Sequence, residues 1–434
     1  MPTDTTAIPR LITRDHFFDV PLNHANASDG QIKVFAREVV DRKKANDNLP
    51  WFVFFQGGPG FGSPRPMDDS GWLKRVLQDY RVLLLDDRGT GRSTPVNYQS
   101  LAKLSTPQDQ ADYLKHFRAD SIVRDAELIR KQLLGPNEKW TIYGQSYGGW
   151  CNTTYLSIAP ESLAAVLYTG GLAPIKRHID EVYRATYKLV ETKNNRFYNR
   201  YPEDEPRIRD IVDFIAANDV VLPCGDPLTP HRFQQIGLGF YRSTFYETLH
   251  YMLEEAFIDG AHGRELGLKF LRDFESQFTF ETNPIFCLLH EAIYTEGPAT
   301  NWSAHRIRDE YPQFHAANDG RVLLTGEMIY PWMFDEYKHL RPLKDTVEIL
   351  ARHDNWSSLY DHGTLASNTV PCAAVVYYED MCVAREFSLE TAESIGNMKV
   401  WITNEYEHDA SRVDGNRVVG RLLDMIDGSV DFSF

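Results

Sequence analysis

The sequence predicts an α/β fold, a mostly parallel β-sheet with helices on both faces, interrupted by a large, mainly helical insertion. Three observations lead to it. Short apolar runs alternate with segments of helical spacing up to about residue 170 and again after residue 370. Those runs are continuous in apolar residues, as in strands buried on both faces. The long stretch between them is rich in charged and aromatic residues and reads as successive helices with few strand signals.

Taken in order, Gln31 to Val40 is an extended stretch that ends in the polar turn DRKKANDN. Trp51–Phe55 and Arg81–Leu85 are buried strands, with a helix over roughly Ser70–Asp79 between them. From Asp120 to Leu134, residues Ile122, Val123, Ala126, Ile129 and Leu133 recur at helical spacing until Gly135 stops them. Strand Trp140–Tyr143 runs straight into Gly144-Gln-Ser-Tyr-Gly148, followed by a helix over 147–158 and a strand over Leu163–Tyr168. The alternation returns with a strand at Pro371–Tyr378, a helix near Leu389–Ile395, strand Met398–Thr403 and helix Asn416–Ile426. The expected organisation is a core from 1–174 and 360–434, split by a helical cap over 175–359; the core pieces together fall within the size of one α/β domain.

Composition narrows the functional classes. A formal net charge of −15 argues against gripping nucleic acid or an anionic membrane, and suits a solvated acidic surface. No apolar run approaches the length of a membrane-spanning helix, and the N-terminal residues lack the pattern of a secretory signal. The five cysteines, with no C-x-x-C spacing, speak for reduced thiols in a cytoplasm rather than a disulfide framework or a zinc site.

Gly144-Gln-Ser146-Tyr-Gly148 matches G-x-S-x-G, the nucleophile elbow of the α/β-hydrolase fold, and lies between a predicted strand and a predicted helix as that motif requires. A serine that attacks an acyl carbon needs donors for the developing oxyanion. The N–H of Tyr147 is one candidate; the other is the N–H of Gly58, in the loop Gln56-Gly-Gly-Pro-Gly60. A phosphate-binding reading of that loop fails, since no Lys-Ser/Thr follows it and no G-x-G-x-x-G opens a helix. In this fold the chain order is serine, acid, histidine. Asp380 ends the strand after the insertion, and beyond it the chain has a single histidine, His408. Glu379 is the alternative orienter of that base. In the segment Leu85-Asp-Asp-Arg-Gly-Thr-Gly-Arg-Ser93, Arg88 reads as a loop brace rather than an anion binder.

Gly57-Gly-Pro-Gly60, Asp87-Arg-Gly-Thr-Gly-Arg-Ser93 and Gly144-Gln-Ser-Tyr-Gly-Gly149 together resemble the serine-type proline iminopeptidases, and the chain length and insertion resemble their longer subgroup. The family commonly has a histidine where this chain has Gln56. The resemblance implies Ser146 as nucleophile, His408 as base, Asp380 as its orienter, and Gly58 with Tyr147 as oxyanion donors. It also implies removal of an N-terminal residue, preferably proline, from short peptides with a free N-terminus, without metal or cofactor. An esterase or amidase on the same fold is the alternative; a non-catalytic binding protein would be expected to have lost part of the serine–acid–histidine set.

An aminopeptidase must hold a partly desolvated ammonium group close to the scissile carbonyl, which calls for carboxylates nearby. Two insertion segments, His290-Glu-Ala-Ile-Tyr294 and Gly326-Glu-Met-Ile-Tyr-Pro-Trp332, place a glutamate among aromatic residues suited to a flat pyrrolidine ring. Glu291 and Glu327 are therefore the candidate amine ligands, and both segments also resemble cap segments of the longer proline iminopeptidases.

Overall fold

The computed structural model describes residues 4–261, 263–317 and 320–430. Its strands are β1 (Asp4–Ile8), β2 (Leu11–Pro21), β3 (Gln31–Asp41), β4 (Trp51–Phe55), β5 (Arg81–Asp86), β6 (Trp140–Gln145), β7 (Leu163–Thr169), β8 (Phe257–Gly260), β9 (Gly263–Leu266), β10 (Cys372–Tyr377) and β11 (Met398–Thr403). Nine of them form one sheet in the order β1-β2-β3-β5-β4-β6-β7-β10-β11, and β8 and β9 pair as a separate hairpin. From β5 to β11 every pairing is parallel; β1, β2 and β3 join antiparallel.

The apolar strand runs supply both faces. Val53 and Phe55 of β4 enter one core, and Phe52 and Phe54 enter another on the opposite face with Trp72, Tyr143 and Val418. That division follows from the two-residue period of a strand. The helix predicted over 70–79 is shorter, Gly71–Val76, and the one predicted near 389–395 lies earlier, at Arg385–Glu393. The β1–β2 ribbon has no counterpart in the sequence reading. Charged residues interrupt the apolar pattern of β2, and the structure pairs them across the sheet: Arg37 donates to Asp15 at 2.7 Å, and His16 meets Glu38 at 3.1 Å. Between β7 and β10 the described residues form helices and the β8–β9 hairpin. No helix among the described residues is long and apolar enough to cross a membrane.

The topology brings distant segments to one edge. β4 lies between β5 and β6, where the strand order changes direction, a place where open α/β sheets bind ligands at the strands' carboxyl ends. Phe55 pairs with Gly144, so the loop after β4 begins beside the turn after β6. β10 and β11 end together, with Tyr377 opposite Thr403.

Candidate active site

Strand β6 ends at Gln145 and the helix Tyr147–Ile158 begins two residues later, so Ser146 alone makes the turn. It does so at φ +54°, ψ −122°, a region that non-glycine residues rarely adopt and that costs on the order of 1–3 kcal/mol. Surrounding contacts hold it there: its N–H donates to Thr169 O at 3.0 Å, and its carbonyl accepts from Gly149 N at 2.7 Å. The turn requires glycine at 148, where a Cβ would sit 2.1 Å from Phe55 O. Gly57 has the same constraint, since its Cβ would meet that of Ser146 at 2.9 Å.

Asp380 lies three residues beyond β10 and His408 five beyond β11. His408 Nε2 stands 2.9 Å from Ser146 Oγ, and its Nδ1 stands 2.6 Å from Asp380 Oδ2. The other oxygen of Asp380 accepts the N–H groups of Cys382 (2.8 Å) and Val383 (3.0 Å), which fixes the carboxylate's direction. Burial works against a charge on His408, but Asp380 outweighs it and raises the imidazole above its ordinary range. Insertion residues grip both neighbours of this histidine. Glu407 pairs with the buried Lys193 at 2.5 Å, and Asp409 accepts from Ser243 N and Oγ at 2.9 and 2.5 Å. Glu379, the alternative orienter, pairs with Arg196 instead.

Ser146 and His408 open into a cavity of about 360 Å³ that Gly57, Gly58 and Glu327 also line. Tyr147 is the first residue of its helix, where an N–H has no acceptor within the helix. Burial raises the carboxyl of Glu327 to about 7; His408 draws it down and Asp380 pushes it further up. The segment carrying Glu327 has no regular structure of its own and is pinned by side chains. Asn194 accepts from Leu324 N and donates to Leu324 O, both at 2.8 Å, and Gln234 donates to Leu323 O at 2.7 Å.

Glu291 is a correction to the sequence reading. Its oxygens accept from Ser303 N (3.0 Å) and Ala304 N (2.9 Å) at the start of the helix Ser303–Arg308, and it does not border the cavity of Ser146. Its local sequence looks like that of Glu327, but its oxygens are turned to the Ser303 and Ala304 N–H groups and to Thr300 instead of to that cavity. The aromatic walls differ too. They come from Phe61, Phe278, Phe280 and Phe286, with the rings of Phe280 and Phe286 stacked at 5.8 Å, rather than from 292–294 or 328–332. The sequence reading also passed over Arg242 and Arg412 in the cavity wall; the place of Arg412, four residues after His408, was the available signal. Arg88 braces loops as expected, donating to Asp125 at 2.7 and 2.6 Å and to the carbonyls of Pro21, Leu22 and His116.

Asp380, Cys382 and His408 bring potential metal-ligating atoms within 4.8 Å of one another. The 2.6 Å contact between Asp380 and His408 would have to open before an ion could be bound between them, since metal–ligand bonds run about 2.0–2.2 Å each. Cys382 borders the cavity, whereas Cys151 is sealed beneath the sheet edge, and burial pushes both thiols well up. A bulky maleimide is therefore expected to inactivate slowly and through Cys382 alone. Cys382→Ala should abolish the inactivation and Cys151→Ala should leave it; inactivation of the Cys382→Ala protein would move the cause elsewhere.

Residues 50–214 match the family model described as the alpha/beta hydrolase fold. The chain is 49% identical over 409 residues to a proline iminopeptidase of Aeromonas sobria, covering 94% of this chain and 95% of that one. It is 35% identical over 428 residues to a proline iminopeptidase of Aspergillus aculeatus, covering 96% and 94%. A shorter likeness, 26% over 163 residues, links it to a proline iminopeptidase of Arabidopsis thaliana, covering 37% and 34%. With a serine at the elbow of an α/β-hydrolase sheet and relatives this similar over nearly their whole length, the chain belongs to the proline iminopeptidase family.

Proposed function

We propose that this enzyme releases an N-terminal residue, preferably proline, from short peptides through an acyl-enzyme on Ser146. The observation that carries the reading is the placement of a half-buried glutamate, Glu327, in the same cavity as the hydrogen-bonded line Ser146–His408–Asp380. Ser146 Oγ attacks the first peptide carbonyl while His408 Nε2 takes its proton. The N–H groups of Gly58 and Tyr147 receive the oxyanion. His408 then returns the proton to the leaving amine, and a water activated by the same imidazole frees the acyl group. Asp380 holds the imidazole with Nδ1–H toward itself and stabilises the imidazolium. Glu327 ionises against the substrate's ammonium, and the phenylalanine wall accepts the pyrrolidine ring. The insertion over 175–359 serves as the cap that supplies Glu327 and all of that wall except Phe61, which comes from the loop after β4.

The test is a panel of prolyl, alanyl and N-acetyl-prolyl arylamides beside a small p-nitrophenyl ester. The prolyl arylamide should be the preferred substrate and the N-acetylated one inert. Equal rates on free and blocked amines, or a preference for the ester, would make the protein an esterase or amidase. In Glu327→Gln, the ratio of prolyl arylamide to ester kcat/KM should fall at least tenfold, about 1.4 kcal/mol. An unchanged ratio would remove Glu327 from amine binding. The pH dependence has a definite sign. A carboxyl raised to about 7 is neutral below that pH, so KM for the prolyl arylamide should rise as pH falls through 7. The glutamine variant should lack that rise.

A further inference from the structure

Arg242 and Arg412 stand in the wall of the Ser146 cavity, and the scheme above gives them no task. Arg242 follows the short helical turn Gln235–Tyr241, and Arg412 lies on the helix Ala410–Val413 just beyond His408. Neutral acceptors orient them: Arg242 Nη2 donates to Gln277 Oε1 at 2.7 Å, and Arg412 Nη1 to Tyr241 Oη at 3.3 Å. The Arg242 guanidinium also rests over the Phe245 ring, 4.5 Å from its centroid.

Among the described residues, no carboxylate oxygen forms an ion pair with either guanidinium. Asp409, three residues before Arg412, is held by Ser243 N and Oγ, and Asp414, two residues after it, accepts from Tyr406 Oη. The Nε of Arg242 is buried without an acceptor. Arg88, Arg130 and Arg232 each hold a carboxylate, on Asp125, Glu127 and Asp226, whereas Arg118 and Arg308, which also lack one, are satisfied by two protein oxygens each and lie outside this cavity. In a chain of net charge −15, two cations left without an acid in one cavity wall call for a ligand. A guanidinium is shaped for a carboxylate, which it binds through two parallel N–H donors.

Their position says which carboxylate. The Tyr241 ring that Arg412 touches meets the His408 ring edge-on, with centroids 6.4 Å apart. The cations are thus one aromatic ring away from the base. Glu327 borders the cavity beside Cys382, whose N–H is bound by Asp380. A short zwitterionic peptide has its ammonium and carboxylate on opposite sides of the scissile bond, and each residue spans about 3.3–3.6 Å. We propose that Arg242 and Arg412 bind the C-terminal carboxylate of a short peptide substrate, so that the free acid is preferred over its amide. This inference rests on the peptidase reading and deepens it.

The experiment compares Pro-Gly and Pro-Gly-Gly with their C-terminal amides, so that no side-chain carboxylate enters. The readout is the ratio of kcat/KM for acid over amide, which cancels losses from poor folding. The ratio should be tenfold or more for at least one peptide length in the unaltered enzyme. It should fall toward one in the double variant Arg242→Gln, Arg412→Gln, and recover in part with lysine at both positions. A ratio near one in the unaltered enzyme, or an undiminished ratio in the double variant, would overturn the proposal. Failure of the underlying reading is seen separately, because the prolyl arylamide, which has no carboxylate, would then not be hydrolysed at all.

Discussion

Replacing Ser146 with alanine is expected to lower kcat by about 10⁴ to 10⁶, and His408→Ala by a similar factor. The two losses should be alike because the groups act as one unit: without the base the hydroxyl is a weak nucleophile, and without the hydroxyl the base has nothing to activate. The double variant should therefore be little worse than either single one. Residual turnover would come from the proposed oxyanion donors, the N–H groups of Gly58 and Tyr147, and from substrate binding, which these substitutions leave in place. Neither change should unfold the protein. Ser146→Ala keeps the Cβ and removes one hydroxyl, although the φ of +54° stays strained for alanine. Steady-state kinetics with a melting curve on each variant decide the matter. A Ser146→Ala enzyme that keeps most of its activity would overturn the nucleophile assignment.

Asp380→Asn should cost about 10⁴ in kcat, while Glu379→Gln costs little. An asparagine of nearly identical shape would turn an acceptor into a donor toward Nδ1 unless its amide flipped. A flip would then set the amide nitrogen against the N–H groups of Cys382 and Val383, which now share Oδ1. Either way the histidine loses its preferred tautomer and the charge that raises its affinity for a proton. The loss should appear in kcat more than in KM, and the acid limb of the pH profile should move down, because an imidazole without Asp380 protonates less readily. Glu379 sits on Arg196 rather than on the base, so its loss would remove only a partly exposed ion pair. The reverse ranking would make Glu379 the orienter.

Much of this protein was legible in its sequence because the signals are local. The continuous apolar runs marked β4, β5, β6, β7, β10 and β11, since a strand buried on both faces needs no polar residue in its register. The helix over 147–158 was read to its exact ends. The elbow motif singled out Ser146, and chain order pointed from it to Asp380, with Glu379 as the alternative, and to His408; the fold sets Ser146, His408 and Asp380 in one hydrogen-bonded line. Parallel strands that end on one edge leave few other places for an acid and a base beyond the last two strands. The β1–β2 ribbon was illegible because its charged residues are neutralised by partners on neighbouring strands, which no window of β2 contains.

The insertion was where sequence stopped deciding. Glu291 and Glu327 have similar local surroundings, each a glutamate followed by apolar and aromatic residues. Only packing separates them: one meets the backbone N–H groups of Ser303 and Ala304, the other faces the cavity that holds Ser146. The same holds for Arg242 and Arg412, which lie 170 residues apart and become neighbours across Tyr241. A strand-and-turn motif carries its geometry in a few consecutive residues, so the sequence by itself determined the parallel strands, the elbow and the chain order of serine, acid and histidine. Which charges face the cavity depends on how segments distant in sequence pin one another, and only the tertiary structure decided that.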